Sequence, residues 1–246
     1  MRLRQICLVA EDLENSLLTL STLLDSPVMF KDPSVAEFGL DNGLIMTGGD
    51  FVEIVSPLPD LKNTAAERQL NRCGDSFYMA IFQSKKAEPV ISHIKEIGGR
   101  AVWEIDSNGV RATHFHPKDF GGAIVSVDSM GREDWQSAYA YWQWAKWPKE
   151  VKPAIPKMNT SIGALKGMRI SARDHKEVQS IWARYLQRPE DGNRILFSGS
   201  EISFHFADIR RPQVTDVYFH AGRDPAKTIL ERAESLNLSV TDGAVS

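Results

Sequence analysis

Hydrophobic and polar positions follow one recurring order along the first part of the chain. Residues 3–9 alternate as a strand does, and Asp12 is a suitable N-cap for a helix that continues to about residue 24. Pro27 ends that helix. Three short strands are predicted next, at residues 28–31, 44–47 and 51–56, with Asp41-Asn42-Gly43 and Gly48-Gly49-Asp50 as turns. The pattern therefore predicts a βαβββ module.

The same order returns further along the chain. The second occurrence has a strand at 77–83, a helix at 87–97 and strands at 100–104, 110–116 and 123–128. The third has a strand at 165–172, a cap at Asp174, a helix to residue 185 and strands at 194–197 and 201–206. A fourth begins with a strand at 216–220 and a helix at 225–236, and is cut short. We expect an α+β fold of tandem βαβββ modules in which the second pair is truncated.

Residues 131–160 differ in composition from the modules on either side. This segment is rich in aromatic residues and proline and has no clear period. Because exposed aromatic surface is unfavourable in water, we expect it to pack across a domain face or to offer an aromatic platform to a ligand. The predicted domains are therefore 1–130, a connector at 131–160, and a second, incomplete domain at 161–246.

Composition excludes several functional classes. A formal net charge of −3 gives no electrostatic basis for nucleic-acid binding. No apolar run has the length of a membrane span or the form of a signal peptide. The two cysteines are too few for a disulfide framework or a four-thiolate zinc site, so we expect a cytoplasmic protein. Since a truncated pair of modules leaves a sheet edge open, we also expect a homodimer.

Candidate chemistry lies in two strands. His114 and His116 alternate along a predicted strand and so point to one side, either as a polar edge or as part of a site. Glu53 stands between Val52 and Ile54 in a predominantly apolar strand. A buried carboxylate is costly unless it meets a cation, such as Arg111 or a histidine, or has its pKa raised. A raised pKa is also what a general base needs, so Glu53 is the first candidate for catalysis.

Three segments together resemble the vicinal oxygen chelate superfamily of glyoxalases, bleomycin-resistance proteins, methylmalonyl-CoA epimerases and extradiol dioxygenases. They are LRQICLVAEDL (3–13), FVEIVSP (51–57) and HPKDFGG (116–122). The resemblance covers Arg2 to about Asp128, and 165–246 only through the order of elements. It implies paired βαβββ modules whose curved sheets form a cup around a small-molecule site.

The resemblance also implies a set of metal-ligand positions, on the first, fourth, fifth and eighth strands. In this chain they hold Gln5, Glu53, about Tyr78 and Ser126, and only the first two keep a suitable donor. Two alternatives follow. Either no metal binds, or Gln5 and Glu53 join His114 or His116 in a displaced site for Zn, Fe, Ni or Mn. Our predicted metal set for the second alternative is Gln5, Glu53 and His116.

The leading functional hypothesis is a lyase or isomerase in which Glu53 moves a proton next to a carbonyl and His116 assists. The residues predicted to bind substrate are Gln5, Tyr78, His114, Arg111 and Ser126. A non-catalytic module of bleomycin-resistance type that sequesters a small ligand is the alternative. An extradiol dioxygenase ranks last, because it needs two histidines and a carboxylate on iron.

Overall fold

The computed structural model describes residues 1–107, 109–131, 133, 135–136 and 162–221. Within them the chain forms two compact units. The first contains residues 1–6, 77–136 and 166–217, and the second contains 7–76, 162–165 and 218–221. Among the helices in the described part of the chain, none is long and apolar enough to cross a bilayer.

The first module has the predicted order of strand, helix and three strands. Its elements are β1 (Arg2–Val9), α1 (Leu13–Leu24), β2 (Val28–Phe30), β3 (Leu40–Thr47) and β4 (Asp50–Pro57), followed by α2 (Ala65–Cys73). Asp12 caps α1 as predicted, with its side chain accepting from the Asn15 N–H. A 3-10 helix at Pro33–Phe38 joins β2 to β3.

One turn prediction in this module is wrong. Asp41-Asn42-Gly43 lies inside β3, where it pairs with β4, rather than between strands. The chain reverses earlier, at Gly39, whose φ of 74° ends the 3-10 helix in the left-handed region. As a result Asn42 is a strand residue with a fixed side-chain direction.

The second and third modules repeat the order. The second comprises β5 (Ser76–Gln83), α3 (Glu88–Glu96), β6 (Ala101–Ser107), β7 (Val110–Phe115) and β8 (Ile124–Ser129). The third comprises β9 (Ile162–Ala172), α4 (His175–Tyr185), β10 (Glu190–Asp191), β11 (Arg194–Phe197) and β12 (Ser200–Phe206), and β13 (Gln213–Ala221) follows it. The predicted helix at 225–236, and residues 132, 134 and 137–160 of the predicted connector, lie outside the described residues. The division into 1–130, 131–160 and 161–246 stays a prediction, as does the homodimer.

Strand order is alike in the two modules of the first sheet. The strands of the first module follow the order β2-β3-β4-β1. Those of the second follow the order β6-β7-β8-β5. The first unit also contains most of a second sheet, ordered β10-β11-β12-β9-β13. The α+β class with tandem βαβββ modules is confirmed.

Each unit has its own apolar core. In the second unit Leu13 and Leu17 of α1 pack against Ile45, Val52 and Ile54 of the sheet. In the first unit the fully buried Trp182 of α4 donates through Nε1 to the Phe120 carbonyl at 3.0 Å. Its ring also meets Phe120 edge-on, with ring centroids 5.2 Å apart. These cores fix which face of each sheet the helices cover.

We expect alanine at Gly48 to destabilise the protein more than alanine at Gly74. Both glycines have φ in the left-handed region, 55° and 67°, which costs an alanine about 1–2 kcal/mol. Only at Gly48 would the added Cβ meet backbone, 2.2 Å from the Ala164 nitrogen, whereas nothing lies within 4 Å at Gly74. Gly48→Ala should therefore lower the free energy of unfolding by about 1–3 kcal/mol more than Gly74→Ala. Urea unfolding measures this difference, and equal losses would contradict the close approach.

Candidate functional site

Glu53 is a buried carboxylate on β4. Its neighbours Val52 and Ile54 face the core under α1, so alternation along the strand turns Glu53 to the opposite face. The residue is only 7% exposed. The apolar residues around Glu53 thus form a buried strand. The Glu53 carboxylate lies on the face of the sheet that α1 does not cover.

Asn42 holds this carboxylate from the neighbouring strand. Its Nδ2 donates to Glu53 Oε1 at 2.5 Å, and the contact is buried. Its Oδ1 accepts from the Asp32 backbone N–H at 2.8 Å. Because a backbone N–H can only donate, this second bond fixes which end of the amide faces Glu53. Asn42 is a site residue that the sequence reasoning missed, since it had been assigned to a turn.

The Cys7 thiol is the second neutral group on Glu53. It lies on β1 and is buried beside the Glu53 carboxylate, and its Sγ makes a long contact of 3.8 Å to the Leu8 carbonyl. Burial, and then the charge and hydrogen bond of Glu53, raise the pKa of the Cys7 thiol well above its usual value. Cys7 is therefore a protonated donor and not a nucleophile.

We expect the two cysteines to differ in reactivity. Iodoacetamide at pH 8 should label Cys73, which is partly exposed, while Cys7 should react about 100-fold more slowly or only on unfolding. A Cys73→Ser variant isolates Cys7, and mass spectrometry follows its labelling. Rapid labelling of Cys7 in the folded variant would show that the thiol is not held as described.

Gln5 and Tyr78 are the predicted partners on β1 and β5. Gln5 is buried at 3% exposure and belongs to the first unit, whereas Glu53 belongs to the second. Tyr78 is half-buried, and the residues after it, Met79 and Ile81, pair with Ile124 and Ser126 of β8. Alternation therefore puts Tyr78 on the opposite face from Ser126, so these two predicted site residues do not share a face. The convergence of Gln5, Glu53 and His116 stays a prediction.

The two histidines differ in their surroundings. His114 lies on β7 opposite Ser126, with its ring against Trp103 at 4.4 Å between centroids. Burial lowers the pKa of His114 to about 4, so its imidazole is neutral at pH 7. The prediction that His116 is also a strand residue is wrong, because β7 ends at Phe115 and Pro117 has no N–H for a ladder. His116 instead caps the 3-10 helix Pro117–Phe120, and its Nδ1 accepts from the Lys118 N–H at 3.1 Å.

Arg111 forms ion pairs with Glu88 and Glu104, whereas the sequence suggested it as a cation for Glu53. Its guanidinium donates to Glu88 of α3 at 2.9 Å and to Glu104 of β6 at 3.3 Å. These contacts put Arg111 on the face that α3 covers, opposite to His114 by alternation. Its guanidinium therefore ties β7 to α3 and β6, and its assignment as a substrate-binding residue stays a prediction.

Ser126 has a carboxyl partner that the sequence reasoning missed. Its Oγ donates to Asp128 Oδ1 at 2.5 Å, two residues along the same face of β8. Asp128 is 2% exposed. Burial raises the pKa of Asp128 to about 7, against the opposing effect of the Ser126 hydrogen bond. The sequence did contain a signal for this pair: Asp128 lies two residues after Ser126, and so on the same face, near the end of an apolar strand.

The Zn, Fe, Ni or Mn site predicted at Gln5, Glu53 and His116 stays a prediction. Among the residues that the structure describes, no three His, Cys, Asp or Glu side chains lie close enough together to hold a metal ion. The same finding applies within those residues to the two-histidine, one-carboxylate set of an extradiol dioxygenase. Two of the groups beside the Glu53 carboxylate are the Asn42 amide and the Cys7 thiol.

Of the comparisons with known proteins, the one with solved structures found matches. No protein-family model matches the chain, and no curated protein matches it. Methylmalonyl-CoA epimerase from Streptomyces coelicolor, in complex with 2-nitronate-propionyl-CoA, is similar at 19% identity and a TM-score of 0.45, over 52% of this chain and 94% of that one. The Mycobacterium tuberculosis methylmalonyl-CoA epimerase matches at 15% identity and 0.46, over 55% and 91%. A methylmalonyl-CoA epimerase with methylmalonyl-CoA and NH4+ matches at 19% and 0.44, over 52% and 93%.

The order of elements within the chain is the firmer basis for comparison. Three successive segments each form a strand, a helix and three strands. The strands of the first two segments follow the same order in the sheet, with the first strand of each segment beside its fourth. The structure thus confirms the βαβββ order on which the predicted resemblance in fold was based.

Proposed function

We propose that the protein is a small-molecule enzyme, an isomerase or lyase, in which Glu53 takes a proton from the carbon next to a carbonyl. One observation carries the proposal: a carboxylate buried in β4 is held by the Asn42 amide and lies beside the buried Cys7 thiol. A carboxylate withdrawn from water and fixed in direction meets the geometric requirement for a general base.

Asn42 and Cys7 have positioning roles in this proposal. Both are buried and uncharged, so each can orient the carboxylate without adding a charge of its own beside it. The bond from the Asp32 N–H fixes the Asn42 amide in turn. A prearranged carboxylate needs little reorganisation when the proton moves.

Hydrogen exchange with solvent tests the proposal without knowledge of the product. The protein is incubated in deuterium oxide with methylmalonyl-CoA or with simple 2-oxo acids, and deuterium at the carbon next to the carbonyl is measured by NMR. We expect exchange above the rate of a heat-denatured control for at least one compound class. No exchange with any of them would contradict the proposal.

The alternative of a ligand-sequestering module has less support. It depended on the aromatic connector, most of which lies outside the described residues. The polar set around Glu53 favours proton transfer instead, because simple sequestration of an apolar ligand does not need a buried base. Both cysteines are free thiols, which supports the proposed cytoplasmic location.

A further inference from the structure

Gln83 presents a buried hydrogen-bond donor at the end of β5. Its side chain is fully buried, and its Oε1 accepts from Arg4 Nε at 2.7 Å. Because a guanidinium can only donate, this bond fixes the amide with Nε2 on the other side. Nε2 has no hydrogen-bond partner among the described residues. An unmet buried donor costs about 1–3 kcal/mol, so an acceptor is expected there.

Asp128 lies directly beside Gln83 on the neighbouring strand. The two are partners in the parallel ladder of β5 and β8, so their side chains leave the sheet on the same face. The Ser84 N–H donates to the Asp128 carbonyl at 2.9 Å and keeps the strand ends in register. Among the described residues, Ser126 is the one whose side chain hydrogen-bonds to the Asp128 carboxyl group.

The two groups are complementary but do not bond to each other. The amide of Gln83 can donate, and the carboxyl of Asp128 has an oxygen that Ser126 does not use. Two such groups at one level of a sheet are suited to hold a single oxygen atom between them. An oxygen that accepts from both would satisfy the Gln83 amide and the protonated form of Asp128.

The surroundings favour an uncharged oxygen. The next positions on this face are Ile81 and Ala112, both buried, and the neutral His114. The cation identified near Gln83 is Arg4, which bonds the amide oxygen. Lys85, beyond the end of β5, pairs with Glu133 at 2.6 Å on the surface. With a pKa of about 7, the Asp128 carboxyl keeps its proton below neutral pH and can donate it in a hydrogen bond.

We infer that Gln83 and Asp128 together bind the carbonyl oxygen of a small neutral ligand, each as a hydrogen-bond donor. Two donors aimed at one carbonyl oxygen also stabilise negative charge that develops on it. The inference stands on the first unit alone and does not depend on Glu53.

A labelled carbonyl compound tests this site. Acetone carrying ¹³C at the carbonyl is titrated with the full-length protein, and the carbonyl ¹³C shift reports hydrogen bonding to its oxygen. We expect a downfield shift on binding at pH 6. At pH 8 the dissociation constant should be about tenfold larger, because Asp128 then loses the donated proton.

Two variants separate the donors. Gln83→Glu keeps an acceptor for Arg4 but removes the amide donor, and should weaken binding about tenfold. Asp128→Asn keeps a donor that does not titrate, and should bind equally at both pH values. Gln187→Glu makes the same chemical change at an exposed position and should bind like the wild type. Unfolding curves confirm that each variant is folded.

Several results would overturn the inference. The absence of any carbonyl shift in the wild-type protein would mean that the pair holds water alone. Binding unchanged in Gln83→Glu, or the same loss at pH 8 in Asp128→Asn, would mean that acetone binds elsewhere. Because the readout is binding, these results are distinct from loss of hydrogen exchange through Glu53.

Discussion

Replacing Glu53 with glutamine should slow hydrogen exchange next to the carbonyl by about 10²–10⁴-fold, the usual contribution of a positioned general base. Glutamine has the size of glutamate and can still accept from the Asn42 amide, so the fold around β4 should persist. It cannot take up a proton at neutral pH. Deuterium incorporation followed by NMR, with substrate well above KM, gives the ratio of the two rates.

A matched control separates this effect from a loss of charge. Glu14 is an exposed glutamate on α1 that pairs with Lys31 at 2.7 Å. Glu14→Gln should exchange hydrogen at the wild-type rate, because its carboxylate is in solvent. A folded Glu53→Gln protein that exchanges hydrogen as fast as the Glu14→Gln protein would rule out Glu53 as the base.

Asparagine at Asp128 should stabilise the protein at pH 8 by about 2–4 kcal/mol. Burial raises the pKa of this carboxyl from 3.8 to about 7 in the folded state. Each unit of pKa difference corresponds to about 1.4 kcal/mol, so 4 kcal/mol is the upper bound. Asparagine retains a group that can accept from Ser126 but has no charge to bury. Urea unfolding at a series of pH values measures the difference.

The pH dependence has a definite direction. Below about pH 4 the folded and unfolded states both hold the proton, and this group does not oppose folding. Between about pH 4 and 7 only the folded state keeps it, so the free energy of unfolding falls as the pH rises. Above about pH 7 the loss is complete. The stabilisation by Asp128→Asn should therefore vanish near pH 4.

Asp208 provides the control for this prediction. It is an exposed carboxylate in the same unit and pairs with Arg173. Asp208→Asn should change stability little at any pH, since exposed ion pairs contribute little. If Asp128→Asn were as neutral as Asp208→Asn at pH 8, the Asp128 carboxyl could not be buried as described.

The sequence could predict the modules because their elements depend on local pattern. Asp12 caps α1, and Leu13 and Leu17 recur at helical spacing on its buried face. The alternation of Val52, Glu53 and Ile54 likewise fixed one face of β4 against that helix. These are signals within a few residues of each other, and the structure retains them.

The polar contacts of the site could not be predicted in the same way, because they join residues that are distant in sequence. Nothing near Asn42 indicates that its amide bonds both Glu53 and the Asp32 N–H. His116 appeared to continue β7, but the proline after it diverts the ring to a cap. Asp128 was within reach of pattern reasoning, yet its partner Gln83 follows only from the register of β5 and β8.

Chemical rescue of a Glu53→Ala protein by formate tests most directly that the Glu53 carboxylate takes the proton. The account predicts that this variant exchanges hydrogen at least about 100-fold more slowly than the wild type, and that added formate restores part of the rate by occupying the vacated space. Exchange by the wild-type protein should not respond to formate. A folded Glu53→Ala protein that exchanges at the wild-type rate without formate would contradict the account.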